Sequence, residues 1–312
     1  MQVLIHGAGA MGLYFAARLQ QAGHQVHLIA RTPWDGAPDV NISTSEGEQT
    51  VTLSGVSSSV PQGLKPDLVL IATKAWPVPE VVADLAQHLP ASTPIMTLQN
   101  GITAPEHSAA AFPHAPIIAG TCVVIVKRTQ PGHVHLLGAE CQITYGLFRA
   151  GEHYQGDALA LVKEAFDGTP IPVTATDDVQ RALWKKLSLI SSYGGVGAVS
   201  GLTAGETRSH PQTRSMVHEA IEECRAVANS YDVTFTNEDV EQVFSTYMEH
   251  FEPGTTTSMQ RDLAQGLPSE LDDQVGVIVT RGAEKGVPTP VYSFIYRTQS
   301  VREEIAREKL AN

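Results

Sequence analysis

The sequence has few cysteines, no long apolar run and a shortage of basic residues, and each lack argues against a class of protein. The three cysteines, at positions 122, 141 and 224, are too few and too far apart for a disulfide framework or a zinc motif, and they fit reduced thiols. The absence of an uninterrupted apolar stretch argues against a membrane span. With 21 basic against 33 acidic residues, the net charge of -12 argues against binding to nucleic acid or to anionic membranes.

The remaining composition is that of an ordinary globular protein. Hydrophobic residues make up 42% and charged residues 17% of the 312 positions, and this length favours two domains. Residues 1–6 carry no basic cluster, and Gly7 interrupts the apolar run that a signal peptide would need. We therefore expect a soluble, cytoplasmic protein that is not exported.

The first half of the chain alternates between strand-like and helical patterns. An apolar run at residues 3–6, a helical segment ending near Gly23 and a second apolar run at 25–30 form a strand, helix and strand whose two strands must be parallel. Strand-like runs recur at 67–72, 94–98 and 117–126, with helical stretches at 79–88 and 104–111. This alternation predicts an α/β fold with a Rossmann-type, doubly wound parallel sheet.

Two parts of this half are less regular. Residues 32–64 show short polar and β-branched pieces, which predict edge strands and loops without clear boundaries. Alternation over 133–146 predicts antiparallel strands, and 155–166 predicts a helix.

Beyond residue 173 the strand patterns disappear and helical periodicity continues to the end. We place the boundary near Thr176, so that residues 1–176 form a Rossmann-type domain and residues 177–312 an all-helical domain. Within the second domain we predict a helix that starts after Asp177 and Asp178, followed by helices at about 211–230, 237–250, 269–285 and 291–309.

A glycine-rich segment follows the first predicted strand. It consists of Gly7, Ala8, Gly9, Ala10, Met11 and Gly12. Because the segment directly follows a strand and opens a helix, the spacing predicts a dinucleotide site: Gly7 permits the tight turn, Gly9 lets a pyrophosphate approach the backbone, and Gly12 allows close helix packing. The alternative is a turn without a ligand.

The residue that ends the second strand bears on the choice of cofactor. In NAD-binding units an acidic residue about twenty positions after the glycines bonds the ribose 2′-hydroxyl. This chain has Arg31 there, and a guanidinium can pair with a 2′-phosphate. We therefore predict NADP(H); the alternative is a solvated arginine at a strand end.

Two polar side chains follow later strands. Lys74 comes after the run 67–72, and Asn100 comes after the run 94–98. Ligands of open α/β sheets collect beyond the carboxyl ends of the strands, so Lys74 would neutralise cofactor or substrate charge and Asn100 would bond the nicotinamide or its ribose. Either side chain alone could equally belong to turn structure.

If the dinucleotide reduces a carbonyl, an acid must protonate the carbonyl oxygen, and two adjacent lysines of the second domain are candidates. At about 100° per residue, Leu183 and Leu187 lie on one helix face, with Lys186 beside that face and Lys185 nearly opposite. Lys186 can thus flank a packed, cleft-facing surface, whereas we expect Lys185 in solvent. The alternative for Lys186 is a lysine whose stem packs while its amine reaches water.

Other features favour ordinary structural roles. His133 and His135 share a strand face, but nothing near them completes a ligand set, and we predict no metal site. The charged run at 302–309 predicts a solvated helix face with i,i+4 pairs. The sequence does not decide the oligomeric state, and a homodimer stays open.

Several motifs together resemble the ketopantoate reductase (2-dehydropantoate 2-reductase) family, in matching order across nearly the whole chain. They are the glycine loop with Arg31, Lys74-Ala75-Trp76, Gln99-Asn100-Gly101, Leu183-Trp184-Lys185-Lys186-Leu187, and Ser258-Met259 with Glu270. The resemblance implies a cleft between the two domains and NADPH-dependent reduction of ketopantoate to pantoate for coenzyme A synthesis. It further implies that Lys186 is the general acid, that Ser258 binds the substrate carboxylate and that Glu270 orients the site.

The sequence departs from the family pattern at four positions. Ile190, Gly194, Ala204 and Thr255 stand where the family carries asparagine. Each lost hydrogen bond to a charged group would weaken the free energy of substrate binding by about 1.5–3 kcal/mol. A different branched or aryl 2-oxo acid is therefore an alternative substrate, and an NADP(H)-binding sensor without catalysis is an alternative of another class.

Overall fold

The computed structural model describes residues 1–34, 37–152 and 154–311. Its α-carbon contacts divide the chain into two compact units. The first unit comprises Met1–Gln99 and Thr103–Val179, and the second comprises Asn100–Ile102 and Gln180–Asn312. None of the described helices combines the length and the hydropathy that crossing a bilayer requires.

The first unit is built on an eight-stranded sheet, as the alternating pattern predicts. Its strands are β1 Gln2–His6, β2 Gln25–Ile29, β5 Gly55–Ser57, β6 Leu68–Ile71, β7 Ile95–Thr97, β8 Ile117–Val123, β11 Gln142–Arg149 and β12 Val173–Ala175. They are ordered β12-β11-β8-β7-β6-β1-β2-β5, and every pair is parallel except β8 with β11. The order reverses at β1, which is where doubly wound sheets bind their ligands.

Four helices belong to this unit. They are α1 Ala10–Gln21, α2 Val78–His88, α3 Thr103–Ala111 and α4 Ala158–Phe166. The start of α4 follows from Asp157, whose carboxylate accepts hydrogen bonds from two backbone N–H groups of the first turn.

A second, four-stranded sheet covers the outer side of α1. Its strands are β3 Asp39–Thr44, β4 Gly47–Thr52, β9 Val126–Gln130 and β10 His133–Leu136, in the order β4-β3-β10-β9. Helix α1 contacts strands of both sheets, and all its residues from Gly12 to Leu19 are buried. Residues 13–17 are all hydrophobic, which fits a helix covered from both sides, and the buried Arg18 is paired with the carboxylate of Glu140.

The prediction of antiparallel strands over residues 133–146 is confirmed, although the two strands lie in different sheets. The two strands there, β10 and β11, do not pair with each other. Strand β10 pairs antiparallel with β9 in the small sheet, while β11 pairs antiparallel with β8 in the large one. Period-2 alternation indicates which side chains face inward, but it does not identify the neighbouring strand.

The second unit is helical, as predicted. Its helices are α5 Val179–Ser200, α6 Ala204–Ser209, α7 Pro211–Ser230, α8 Asn237–Glu249, α9 Ser258–Gln265, α10 Val277–Lys285 and α11 Pro290–Ala311. Capping boxes begin α6 at Thr203 and α8 at Thr236. The pattern analysis missed the short helices α6 and α9, and it merged α10 with the π-helical turn Asp272–Gly276 that precedes it.

The prediction of a fully solvated face over residues 302–309 is wrong at Glu303. Its residue is only 3% exposed, and its carboxylate accepts the backbone N–H and the hydroxyl of Ser269. Arg307 completes the predicted i,i+4 pair with Glu303 at 2.8 Å. A buried carboxylate needs such partners, and these come from a segment more than thirty residues earlier in the chain.

Candidate functional site

The glycine loop between β1 and α1 is closed by contacts that only glycine permits. Gly7 has φ +112°, and a Cβ there would lie 2.8 Å from Cγ2 of Thr73. A Cβ on Gly12 would lie 1.7 Å from the carbonyl oxygen of Gly7. The loop is therefore packed onto itself and onto the end of β6, so its shape is fixed before any ligand binds.

The middle glycine is different, because it borders open space. A Cβ on Gly9 would meet no heavy atom within 4 Å. Gly9 also begins α1 without a side-chain cap, and the first turn of α1 carries no acidic residue. Uncapped N–H groups beside open space form a cradle that fits the pyrophosphate of a dinucleotide.

Arg31 and Lys74 follow strands β2 and β6, and the chain contacts the loop at Gly7 where each of these two strands ends. The Gly7 N–H donates to the carbonyl of Ile29 at 3.0 Å, which brings the end of β2 against the loop two residues before Arg31. Arg31 is exposed, as a residue that binds a ligand phosphate must be before binding. Lys74 directly follows Thr73, the residue that contacts Gly7, and it too is exposed.

Gln99 ties the ends of two neighbouring strands together. This side chain is buried, and its amide nitrogen donates to the carbonyl oxygens of Ile71 at 2.8 Å and Thr73 at 3.1 Å. The sequence reasoning treated Gln99 only as part of a motif and missed this role. A lone amide directly after an apolar strand is the signal that would have found it.

The next residues along the chain belong to the second unit. Asn100 is half-buried, and Gly101, with φ +108°, lies so close to the π-helical turn that a Cβ would be 2.9 Å from the carbonyl oxygen of Asp273. Asp273 follows Glu270 by three residues. The structure thus brings the segments of Asn100 and Glu270 into contact, and π-helical turns often occur where side chains must be placed for function.

The two lysines of α5 have different surroundings, and the expectation that Lys185 lies in solvent is wrong. The Lys185 ammonium is 2.7 Å from a carboxylate oxygen of Asp239 and donates to Gln242. Arg181 donates to both oxygens of the same carboxylate, at 3.0 and 2.9 Å. Lys185 is therefore part of a structural ion-pair cluster, one turn of helix after Arg181.

The charge of Asp239 is strongly favoured by this cluster. Burial alone would raise the pKa of the Asp239 carboxyl, but hydrogen bonds from Arg181, Lys185 and Thr236 outweigh burial and hold that pKa well below its usual range. Asp239 is also the third residue of α8, where a carboxylate closes the capping box with Thr236. Helical periodicity alone could not have identified it as a partner of Lys185.

Lys186 lies beside the packed face of α5, as predicted. Leu183 and Leu187 on that face are 4% and 0% exposed, whereas Lys186 is half-buried. Its ammonium thus comes from a rigid, well-packed helix, which is the support that a proton donor needs for precise placement.

Glu270 is held by its neighbours on both sides. It is 7% exposed and accepts a hydrogen bond from the side-chain amide of Gln274 at 3.0 Å. The preceding residue, Ser269, is anchored by the buried Glu303 described above. A carboxylate fixed in this way has little freedom to move, which suits a residue that orients a ligand.

Ser258 is the first residue of α9 and is exposed. The residue before it, Thr257, caps α9 through its side-chain oxygen, which accepts the N–H of Gln260 at 3.1 Å. A Cβ on Gly194 would lie 2.6 Å from Cγ2 and Oγ1 of Thr257. Gly194 therefore allows the N-terminus of α9 to pack directly on α5, and the Thr257 side chain takes the space that a side chain at position 194 would occupy.

The other departures are also accommodated locally. Ile190 is half-buried one turn of α5 after Lys186. Ala204 is 2% exposed, and its N–H donates to the carbonyl of Thr255 at 2.9 Å. At these positions the chain makes apolar or backbone contacts, whereas an asparagine would offer side-chain hydrogen bonds.

The predicted residues fall into two groups, each within one unit. The first unit holds residues 7–12 with Arg31 and Lys74, and the second holds Asn100, Lys186, Ser258 and Glu270. His133 is one of the two histidines that share a strand face. Its Nε2 lies 3.2 Å from the side-chain amide nitrogen of Asn41.

The comparisons with known proteins agree with this architecture. The family model "Ketopantoate reductase PanE/ApbA" matches residues 3–150, and its C-terminal counterpart matches residues 178–303. The 2-dehydropantoate 2-reductase of Caulobacter vibrioides is 30% identical over 295 residues, which cover 94% of this chain and 96% of the relative. A crystal structure of a PanE/ApbA family ketopantoate reductase from Ralstonia eutropha JMP134 matches with a TM-score of 0.84 and 28% identity, covering 98% of this chain and 100% of that one.

The fold and the glycine loop thus define an oxidoreductase that binds a nicotinamide dinucleotide. The chain belongs to the ketopantoate reductase PanE/ApbA family. At the level of fold alone it also matches D-mandelate dehydrogenase in a ternary structure with NADH and anilino(oxo)acetate, with a TM-score of 0.85 and 21% identity, over 98% of this chain and 99% of that one.

Proposed function

We propose that this protein reduces 2-dehydropantoate to (R)-pantoate with NADPH, in the synthesis of pantothenate and coenzyme A. In this proposal residues 1–176 bind the cofactor and residues 177–312 bind the substrate and supply the acid. The observation that supports it most is the open cradle at Gly9, where uncapped N–H groups begin a buried helix. The three buried, unlinked cysteines fit the reducing cytoplasm, where we place the protein.

The cofactor would be held by the backbone of residues 7–12, with Arg31 on the 2′-phosphate and Lys74 and Asn100 beside the nicotinamide. Bound NADPH supplies the hydride that the carbonyl carbon of the substrate accepts. Lys186 donates a proton to the carbonyl oxygen as negative charge develops on it, and general acids of this kind contribute about 10²–10⁴-fold in rate. Glu270 orients the site, and Ser258 donates a hydrogen bond to the substrate carboxylate.

Lys185 is a poor candidate for the same proton transfer. Its ammonium is engaged by Asp239, and releasing the proton would leave a buried carboxylate with less compensation. This supports Lys186 as the acid of the pair.

A second substrate class has an observation in its favour. Ile190 is an apolar side chain one turn of α5 after Lys186, at a position where a hydroxylated acid would gain from an amide. A branched or aryl 2-oxo acid has no hydroxyl to pair, so an apolar residue at position 190 would not weaken its binding. The same fold serves D-mandelate dehydrogenase, which has been solved with anilino(oxo)acetate.

A substrate panel with the purified protein tests the proposal. We expect NADPH oxidation with 2-dehydropantoate, with a kcat/KM at least tenfold above those with 2-oxoisovalerate and phenylglyoxylate, and with NADPH preferred to NADH. A higher kcat/KM for either of the other acids would transfer the assignment to the apolar class. Binding of NADPH without turnover of any 2-oxo acid would instead favour the non-catalytic sensor.

A further inference from the structure

The edge strand β9 of the small sheet places an arginine on the glycine loop. The guanidinium of Arg128 donates to the carbonyl oxygen of Ala8 at 3.3 Å, across 120 positions of sequence. Ala8 lies between Gly7 of the tight turn and Gly9 of the open cradle. A cation therefore lies against the backbone that immediately precedes the proposed pyrophosphate site.

The direction of this side chain follows from the strand. Successive residues of β9 point to opposite faces of the small sheet, so Val126 and Arg128 share one face and Lys127 points to the other. Val126, Ala8 and Met11 are partly buried residues that pack against the same core cluster. The face of Arg128 is thus the one turned toward the glycine loop, while Lys127 is an exposed cation of the same strand that is turned away from it.

The loop has a use for this charge. The first turn of α1 carries no acidic residue, and its uncapped N–H groups attract an anion. A guanidinium has five N–H donors, so Arg128 can hold Ala8 and still offer donors to a ligand. Its bonds to phosphate oxygens are charge-assisted and hence stronger than the single bond to a neutral carbonyl.

We propose that Arg128, held at the Ala8 carbonyl, binds the pyrophosphate of the dinucleotide at the glycine loop. This inference rests on the proposed function, because it presupposes that a nicotinamide dinucleotide binds at Gly9. It assigns to Arg128 an anion that NADPH and NADH share, whereas Arg31, which follows β2, is proposed above to bind the 2′-phosphate that only NADPH carries. The two arginines therefore act on different groups of the same cofactor.

Dissociation constants for NADPH and NADH, measured by fluorescence titration without substrate, test this assignment. We expect Arg128→Ala to weaken both cofactors by a similar factor of about ten or more, as the loss of a hydrogen bond to a charged group does. Arg31→Ala should weaken NADPH far more than NADH. Lys127→Ala, on the same strand, is the matched control and should leave both constants within about twofold of wild type.

A second variant separates charge from loop anchoring. Arg128→Gln keeps a donor for the Ala8 carbonyl but removes the positive charge, and we expect it to bind both dinucleotides as weakly as Arg128→Ala does. Because Arg128 is exposed, both variants should keep the wild-type melting temperature. Wild-type affinity in Arg128→Gln would overturn the proposal and leave Arg128 as a tie for the loop.

The remaining outcomes distinguish failure of the Arg128 assignment from failure of the proposed function. Unchanged constants in Arg128→Ala, with wild-type protein that binds NADPH, would refute the role of Arg128 and leave the proposed function intact. A loss confined to NADPH would refute the pyrophosphate assignment, since it would mean that Arg128 reads the 2′-phosphate. Failure of the wild-type protein to bind either dinucleotide would refute the proposed function and this inference together.

Discussion

The glycine loop presents backbone groups, whereas the helical face around Lys186 presents side chains. The loop acts through backbone N–H groups, and its glycines serve by lacking atoms where Thr73 and the Gly7 carbonyl need the space. The face around Lys186 acts through side chains that packed helices hold in place. A site made of backbone is therefore damaged by adding atoms, whereas a site made of side chains is damaged by removing them.

The largest expected effect comes from removing Lys186, the proposed acid. We expect Lys186→Ala to lower kcat by about 10²–10⁴-fold, because general acid catalysis contributes that much, while the dissociation constant for NADPH stays within about twofold. Steady-state kinetics and cofactor titration measure the two quantities. Lys185→Ala is the matched control, since it removes an ammonium from the same helix turn.

That control has its own expected result. Lys185→Ala should lower the melting temperature by loosening the hold on Asp239, while kcat stays close to wild type. If kcat falls as far in Lys185→Ala as in Lys186→Ala, the distinction between the two lysines is lost.

The next effect comes from adding one methyl group to the loop. Gly12→Ala forces a Cβ to within 1.7 Å of the Gly7 carbonyl oxygen, so we expect a loss of at least about 3 kcal/mol in the free energy of unfolding, together with loss of cofactor binding. Gly9→Ala adds the same methyl group to open space. It should unfold like wild type and yet bind NADPH about tenfold more weakly, because the methyl group enters the ligand's space.

Thermal denaturation and cofactor titration of both glycine variants decide this point. If Gly9→Ala binds NADPH as wild type does, the open space at Gly9 is not the pyrophosphate site. If Gly12→Ala keeps the wild-type melting temperature, the loop is less rigid than its contacts require.

The smallest effect concerns the charge that holds Lys185 in place. Asp239→Asn should cost about 1–2 kcal/mol of unfolding free energy at pH 7, since Arg181 and Lys185 are partly exposed and solvent screens them. The folded pKa of Asp239 lies below the unfolded value of about 3.9, so the stabilisation is present above that pH and is lost as the pH falls through the folded value. Urea unfolding at several pH values should show the gap between wild type and variant closing below about pH 4. A gap that does not change with pH would mean that the charge is not its cause.

The large sheet and its glycine loop could be predicted from the sequence because their signals are local. The central strands β1, β6 and β7 consist mainly of apolar residues, and the three glycines lie within six residues of one another. The small sheet could not be predicted, since it pairs β3 with β10 across about ninety positions. A local trace of it is α1, which has an unbroken apolar run from residue 13 to residue 17 and therefore needs cover on both sides.

The helical unit shows the same limit at the level of single side chains. Periodicity places Lys186 beside the packed face of α5, but it places Lys185 in solvent because it has no information about α8, which carries Asp239. The burial of Glu303 likewise depends on Ser269 in a distant loop. Partners that lie far apart in sequence decide such cases, and a single-helix pattern does not contain them.

The contact between Gly194 and Thr257 sets a condition on redesign of this protein. A larger residue introduced at position 194 to recognise a new substrate would collide with a side chain that caps a helix, so that single change should fail. Shortening position 257 alone would open a void and weaken the cap. Positions 194 and 257 must therefore be changed together. A library that varies both should yield substrate specificities that single substitutions cannot.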